Sequence, residues 1–188
     1  MGQPQSKPSK PWFIQPGDHI YCQRKGGLYY HHGIYVGDDM VIHLQGKAKK
    51  LEPLPECRKC KDKRVQNGEI AKVCIDCFLR GERPRIYDYG VSLLEFLARK
   101  GGTCCQRDSK PPHEVISIAT YLLERNRFGP YGMLTNNCEH FAVFCKTGSA
   151  ASYQIECIAR GIGAGPVGRL AGAAIAVAWR VSKGVRKT

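Results

Sequence analysis

Two runs rich in β-branched and aromatic residues, Tyr29–Val36 and Met40–Gln45, flank Gly37-Asp38-Asp39. The pattern predicts a β-hairpin, because Val, Ile and Tyr suit a pleated surface and Gly and Asp tolerate a tight turn. This hairpin constrains the chain more than any other feature, since each strand carries a histidine, His31 and His43. Side chains alternate between the two faces of a strand, so turn length decides whether these histidines meet. A three-residue loop pairs Val36 with Met40, His31 with Gln45 and His43 with Gly33. The two imidazoles then share a face as diagonal neighbours, about 7–8 Å apart. A two-residue loop would send them to opposite faces.

The rest of the chain supplies more strands, then helices. Asp18–Gln23 reads as a strand after the Pro16-Gly17 turn, and Ile86–Tyr89 as a short one. Ser92 is placed to cap a helix over 93–100, and Pro111-Pro112 to open another over 113–126. In that second helix Val115, Ile118, Ala119, Leu122 and Leu123 fall on one face. Asn136 or Asn137 can cap a third helix over 138–146, stopped by Gly148. Strands first and helices later point to an α+β fold. A length of 188 residues fits one domain. The expected organisation is a flexible basic arm over 1–12, a body over 13–148 with an insertion at 47–85, and a basic Ala/Gly-rich tail over 149–188.

Charge follows that division. The net charge is +13, with +2 on 1–12, +6 on 47–85 and +5 on 149–188, and the remainder is neutral. A neutral body with basic add-ons favours an anionic partner met at the periphery over a basic active site.

Ten cysteines are many for such a chain. The N-terminus MGQPQSKPSK lacks the apolar stretch of a secretory signal. A reducing compartment is therefore expected, where clustered cysteines mean metal or catalysis. Cys57-x-x-Cys60 and Cys74-x-x-Cys77, 13 residues apart, can close a tetrahedron around a structural Zn²⁺. The insertion has little apolar content to fold it otherwise. No aromatic residues interleave its charges to stack bases, so no specific nucleic acid is expected. Cys22, Cys104, Cys105, Cys145 and Cys157 show no partner pattern and are expected to pack in the core, with Cys104-Cys105 as candidates for exposure.

Cys138 is different. In Asn136-Asn137-Cys138-Glu139-His140-Phe141 it falls in the first turn of a helix, where backbone N–H groups and the helix dipole favour a thiolate. A nucleophilic thiol needs a base within reach, and the base an orienting group. His31 and His43 are the candidates. His140 reads as structural.

These motifs together, His31-His32-Gly33-Ile34-Tyr35-Val36-Gly37, Val41-Ile42-His43-Leu44 and Asn137-Cys138-Glu139-His140-Phe141, resemble the lecithin:retinol acyltransferase family, which includes the H-Ras-like suppressor phospholipases and acyltransferases. The insertion is similar to that of the plant NC-domain members. The resemblance covers roughly 14–46 and 86–148. It implies a circularly permuted papain-like fold, with an antiparallel sheet packed on helices and the zinc-knuckle insertion added. It implies a cysteine-dependent acyltransferase or acyl hydrolase: Cys138 takes an acyl group from a phospholipid as a thioester and passes it to water, an amine or an alcohol. His31 would be the base, His43 would orient it, and the backbone N–H of Cys138 is the candidate oxyanion donor. Two other readings stand beside it: a permuted-papain isopeptidase for ubiquitin-like modifiers, and a non-catalytic zinc-stabilised binding module. The second histidine, twelve positions after the first, separates the acyltransferases from the isopeptidases.

The ends suggest where the protein works. Met1-Gly2-Gln3-Pro4-Gln5-Ser6 fits N-myristoylation at Gly2, followed by Lys7 and Lys10. The tail carries an apolar segment, Leu170–Trp179, flanked by Arg169, Arg180, Lys183, Arg186 and Lys187. A cytoplasmic protein held peripherally on an anionic membrane surface is expected. No protein partner is indicated.

Overall fold

The computed structural model describes residues 13–46, 57–61, 68–126, 128 and 136–149. The Gly2 site, most of the basic tail and Cys157 lie outside the described residues. So do the N-terminal arm and the insertion's segments 47–56 and 62–67.

Five strands form one antiparallel sheet: β1 (His19–Arg24), β2 (Tyr29–Gly37), β3 (Met40–Leu44), β4 (Ile70–Cys74) and β5 (Arg85–Ile86). Their order is β4-β3-β2-β1-β5. A short helix α1 (Ile75–Leu79) follows β4 directly, and α2 (Leu93–Ala98), α3 (Pro112–Arg125) and α4 (Cys138–Thr147) come later. This is a mixed fold in which an antiparallel sheet packs against helices. Among the described residues no helix is long and apolar enough to cross a membrane.

The hairpin keeps the expected parity by a different route. The turn is two residues, Asp38 and Asp39, both in the left-handed region at φ 51° and 61°. A β-bulge between Tyr35 and Gly37 adds the missing residue. Ile34 therefore still faces Ile42 and Tyr35 faces Val41, and His31 and His43 share a face.

Three cores follow from strand alternation. On one face Ile34, Ile42 and Leu44 meet Val115, Ala119 and Leu122 of α3 and Phe141, Ala142 and Cys145 of α4. Ile118 and Leu123 flank this cluster, so the predicted apolar face of α3 is the face it buries. On the other face Ile20, Cys22, Val41 and Val73 meet Ile75, Phe78 and Leu79. An aromatic cluster joins Tyr21, Tyr30 and Tyr87 to Cys105 and Val143. Cys22, Cys104, Cys105 and Cys145 are all buried.

The segment 70–79, read from sequence only as part of an insertion, thus supplies a sheet strand and a core helix. Val73, Ile75, Phe78 and Leu79 bury fully although their neighbours are charged. The helix caps are as expected elsewhere: Ser92 accepts from the N–H of Glu95 at 3.2 Å, and Asn137 caps α4.

Candidate active site

Asn137 fixes the start of α4. Its side-chain oxygen accepts from the N–H of His140 at 3.0 Å, and the His140 ring accepts from the N–H of Asn137 at 3.3 Å. This is a capping box with a histidine in the place usually held by Glu or Gln. His140 Nδ1 also lies 2.8 Å from Asn137 Oδ1, so the ring serves the cap, and burial lowers its pKa to about 4, which keeps it neutral.

Cys138 is the first residue of α4 and is 6% exposed. Its Sγ lies 3.9 Å from the carbonyl oxygen of Tyr30, the residue before His31. The strand geometry explains how a helix can reach this spot. Tyr35 exchanges hydrogen bonds with Gly17 and Asp18 on the β1 side, so the even-numbered residues of β2 aim their backbone groups toward β3. Pairing between β2 and β3 runs from Ile34↔Ile42 to the turn. Before Ile34 the backbone of Tyr30 and His32 is open to the start of α4. The sulfur sits against it.

The N–H groups of His32, Glu139 and Cys138 itself are directed at that sulfur and favour its ionised form. Burial, the largest influence, outweighs them, and the buried Glu139 adds to it. The thiol is pushed up to about 12.

The two histidines meet on the face opposite α4. His31 Nε2 and His43 Nδ1 are 2.9 Å apart. The rings stand almost perpendicular, 89°, with centroids 4.8 Å apart. His43 is buried, and its Nε2 finds no hydrogen-bond partner among the described residues. Burial first, then the positive charge of Arg24 and Arg80, lowers the His43 pKa to about 3. His31 keeps part of its surface open, yet burial lowers its pKa well below the usual value. His43, Arg24, His32 and Arg80 add to the effect. Both rings are neutral at physiological pH.

Two contributors were not legible in the sequence. Phe78 stacks on His31 with ring centroids 5.1 Å apart and meets His43 at 5.5 Å. Arg24 donates to the carbonyls of Phe78 and Leu79 below the pair. The only local signal for Phe78 is that it follows Cys77 directly.

On the α4 face a second polar group is buried. His19 Nε2 and His32 Nδ1 are 2.9 Å apart, and His19 Nδ1 lies 2.7 Å from the Tyr89 hydroxyl. His32, which follows the candidate base, thus belongs to a different layer from His31.

The four knuckle cysteines converge. The sulfurs of Cys57, Cys60, Cys74 and Cys77 all lie within 4.8 Å of one another. Cys57 to Cys74 and Cys60 to Cys77 are each 3.8 Å. Metal–sulfur bonds of about 2.3 Å in a tetrahedron require sulfurs about 3.8 Å apart. The donor set fits a metal ion. The thiol of Cys57 is lowered to about 6 by the N–H groups of Cys60 and Lys59, so one ligand is readily ionised.

The lecithin retinol acyltransferase family model matches residues 13–151. The chain is 36% identical over 151 residues to Protein LEAD-SENSITIVE 1 of Arabidopsis thaliana, covering 71% of this chain and 58% of that protein. It is 30% identical over 137 residues to human lecithin retinol acyltransferase, covering 67% and 52%. Egg-laying defective protein 26 of Caenorhabditis elegans is 26% identical over 145 residues, covering 76% and 42%. The chain thus spans about half the length of these relatives.

Proposed function

The chain belongs to the lecithin retinol acyltransferase family, and from that premise we propose that it is a cysteine-dependent acyl transferase or acyl hydrolase acting on phospholipids. The observation that carries the reading is the 2.9 Å contact between His31 Nε2 and His43 Nδ1, on the strand whose backbone holds the Cys138 sulfur. In this reading the His31 Nε2–H donates to His43 Nδ1. That leaves Nδ1 of His31 as the nitrogen for the thiol. His31 accepts the thiol proton as Sγ attacks the ester carbonyl carbon. The backbone N–H groups around the sulfur, that of Cys138 among them, stabilise the oxyanion. The ester C–O bond then breaks, His31 returns its proton to the departing lysophospholipid oxygen, and the acyl group stays on Cys138 as a thioester. Water, an amine or an alcohol next gives its proton to His31 and attacks the thioester, releasing the Cys138 sulfur.

The body over 13–148 is, in this reading, a circularly permuted papain-like domain with a zinc-clipped insertion at 47–85. The four cysteines hold a structural Zn²⁺, supported by sulfur spacings that suit a tetrahedron. The basic arm, a myristoyl group on Gly2 and the tail over 149–188 keep a cytoplasmic protein on an anionic membrane. The test is intact-protein mass spectrometry after incubation with mixed phospholipids. An acyl mass on Cys138, absent from Cys138→Ser, is the expected result. Labelling of Cys138 by a ubiquitin-like probe with no acyl adduct from any lipid would overturn the reading in favour of an isopeptidase. Co-sedimentation with vesicles tests the membrane role. Binding should need anionic lipid, weaken with salt and fall on removal of residues 160–188.

A further inference from the structure

We propose that Phe78 is a positioning residue for the His31–His43 pair, and that the four-cysteine cluster, by holding the helix that carries Phe78, couples metal binding to the reactivity of Cys138. The inference rests on the acyl-transfer reading above for its consequence, and on packing for its mechanism.

Cys77 and Phe78 are consecutive residues of α1, which is only five residues long. Such a helix cannot hold itself and depends on what grips it. Besides the sulfurs of Cys74 and Cys77 and the packing of Ile75, Phe78 and Leu79 in the core, three polar attachments grip it. The N–H of Ile75 donates to the carbonyl of Asp39 in the β2–β3 turn at 2.7 Å. Lys59, in the first knuckle, pairs with Asp76 in the second at 2.6 Å. The guanidinium of Arg24 holds the carbonyls of Phe78 and Leu79. The Lys59 clasp is exposed, and surface pairs of this kind contribute little. Among the described residues, the cluster is the attachment that joins the two knuckles with bonds strong enough to fold a segment.

Phe78 fills the angle between the two imidazoles. Its ring lies 30° from the plane of His31 and 78° from that of His43. The side chain is 1% exposed. The room is fully used: a Cβ on Gly33 would stand 2.9 Å from Phe78 Cε2 and 3.1 Å from His43 Cβ. A residue packed this closely sets the ring angles on which the 2.9 Å His31–His43 contact depends. Losing metal frees the knuckle, the knuckle frees Phe78, and the base loses its fixed orientation.

The experiment uses the full chain loaded with Zn²⁺ under reducing conditions, the same protein stripped by a chelator, and two variants. Imidazole ¹⁵N and ¹H signals of His31 and His43 report their tautomers, and thioester formation on Cys138 gives kcat and KM. In the loaded protein each ring should show one fixed tautomer. Stripping should replace these signals with averaged ones. Phe78→Leu should do the same with one zinc still bound, lowering kcat about tenfold or more with KM little changed. Val115→Ala, in the core on the other face, should lower the melting temperature and leave the ring signals alone. Ring signals that ignore both metal loss and Phe78→Leu overturn the proposal, as does a chain that takes up no Zn²⁺. If Phe78→Leu fails to fold, stripping of the wild-type chain decides. Fixed tautomers that respond to metal, in a protein that never acquires an acyl group, would leave the positioning role standing and remove the acyl-transfer reading instead.

Discussion

Cys138 is held between two opposed influences. Three N–H groups favour its thiolate, and burial opposes it more strongly. With the thiol pushed up to about 12 and His31 held well below its usual pKa, both the thiol and the imidazole rest in their neutral forms. Carbamidomethylation of Cys138 should therefore be slow at pH 7 and rise steadily with pH through at least pH 9, since only the thiolate reacts. A rate that levels off below pH 7 would show a preformed ion pair. In the proposed chemistry, removing the base should cost about 10²–10⁴-fold in thioester formation, as measured with His31→Ala. His43→Gln should cost less, because a side-chain oxygen can still accept from His31 Nε2–H. The histidine pair and the cysteine were legible because their motifs lie in short local stretches. Phe78 was not, since it meets the histidines only after β4 has joined the sheet beside β3. Nothing near residue 78 in the chain marks that meeting.

At the level of elements, the β2–β3 hairpin shows how the same outcome can be reached by two constructions. Parity was legible from the histidines, whereas the pairing of a left-handed Asp38-Asp39 turn with a bulge was not. Gly and Asp residues suit either arrangement. β4 and α1 were hidden for a different reason. Ile70, Val73, Ile75 and Phe78 are scattered among charged residues, and no clean period of two or 3.6 emerges. Their burial comes from the sheet edge and the cysteine cluster rather than from local pattern. β2 itself has no slack at Gly33, where a Cβ would come within 2.7 Å of Val41 Cγ1. Gly33→Ala should lower stability by about 1–3 kcal/mol in urea denaturation, the usual cost of overpacking. It should also disturb the histidine pair, which the rate of thioester formation would register.

For the whole molecule, four histidines act together. His19, His31, His43 and His140 all have pKa values lowered chiefly by burial. The unfolded chain binds protons at these sites near pH 6.5 and the folded chain does not, so the unfolded state gains protons first. Stability should be fully present above about pH 6.5 and fall progressively as pH drops below it. Urea midpoints at pH 7.5, 6 and 5 should decline in that order. A flat series would mean that the histidines are hydrated in the folded protein. The strand order carries a different consequence. β4 pairs with β3 along its whole length, from Met40↔Cys74 to Leu44↔Ile70. As an insertion in the sequence reading, 47–85 looks like a segment that can be cut away. Here it cannot, because excising 47–85 would strip β3 of its outer neighbour and leave Val41, Ile42 and Leu44 on a bare edge. Such an edge recruits strands from other chains. The trimmed protein should elute as aggregates on size-exclusion chromatography, and the segment behaves as a built-in guard against self-association rather than a removable module.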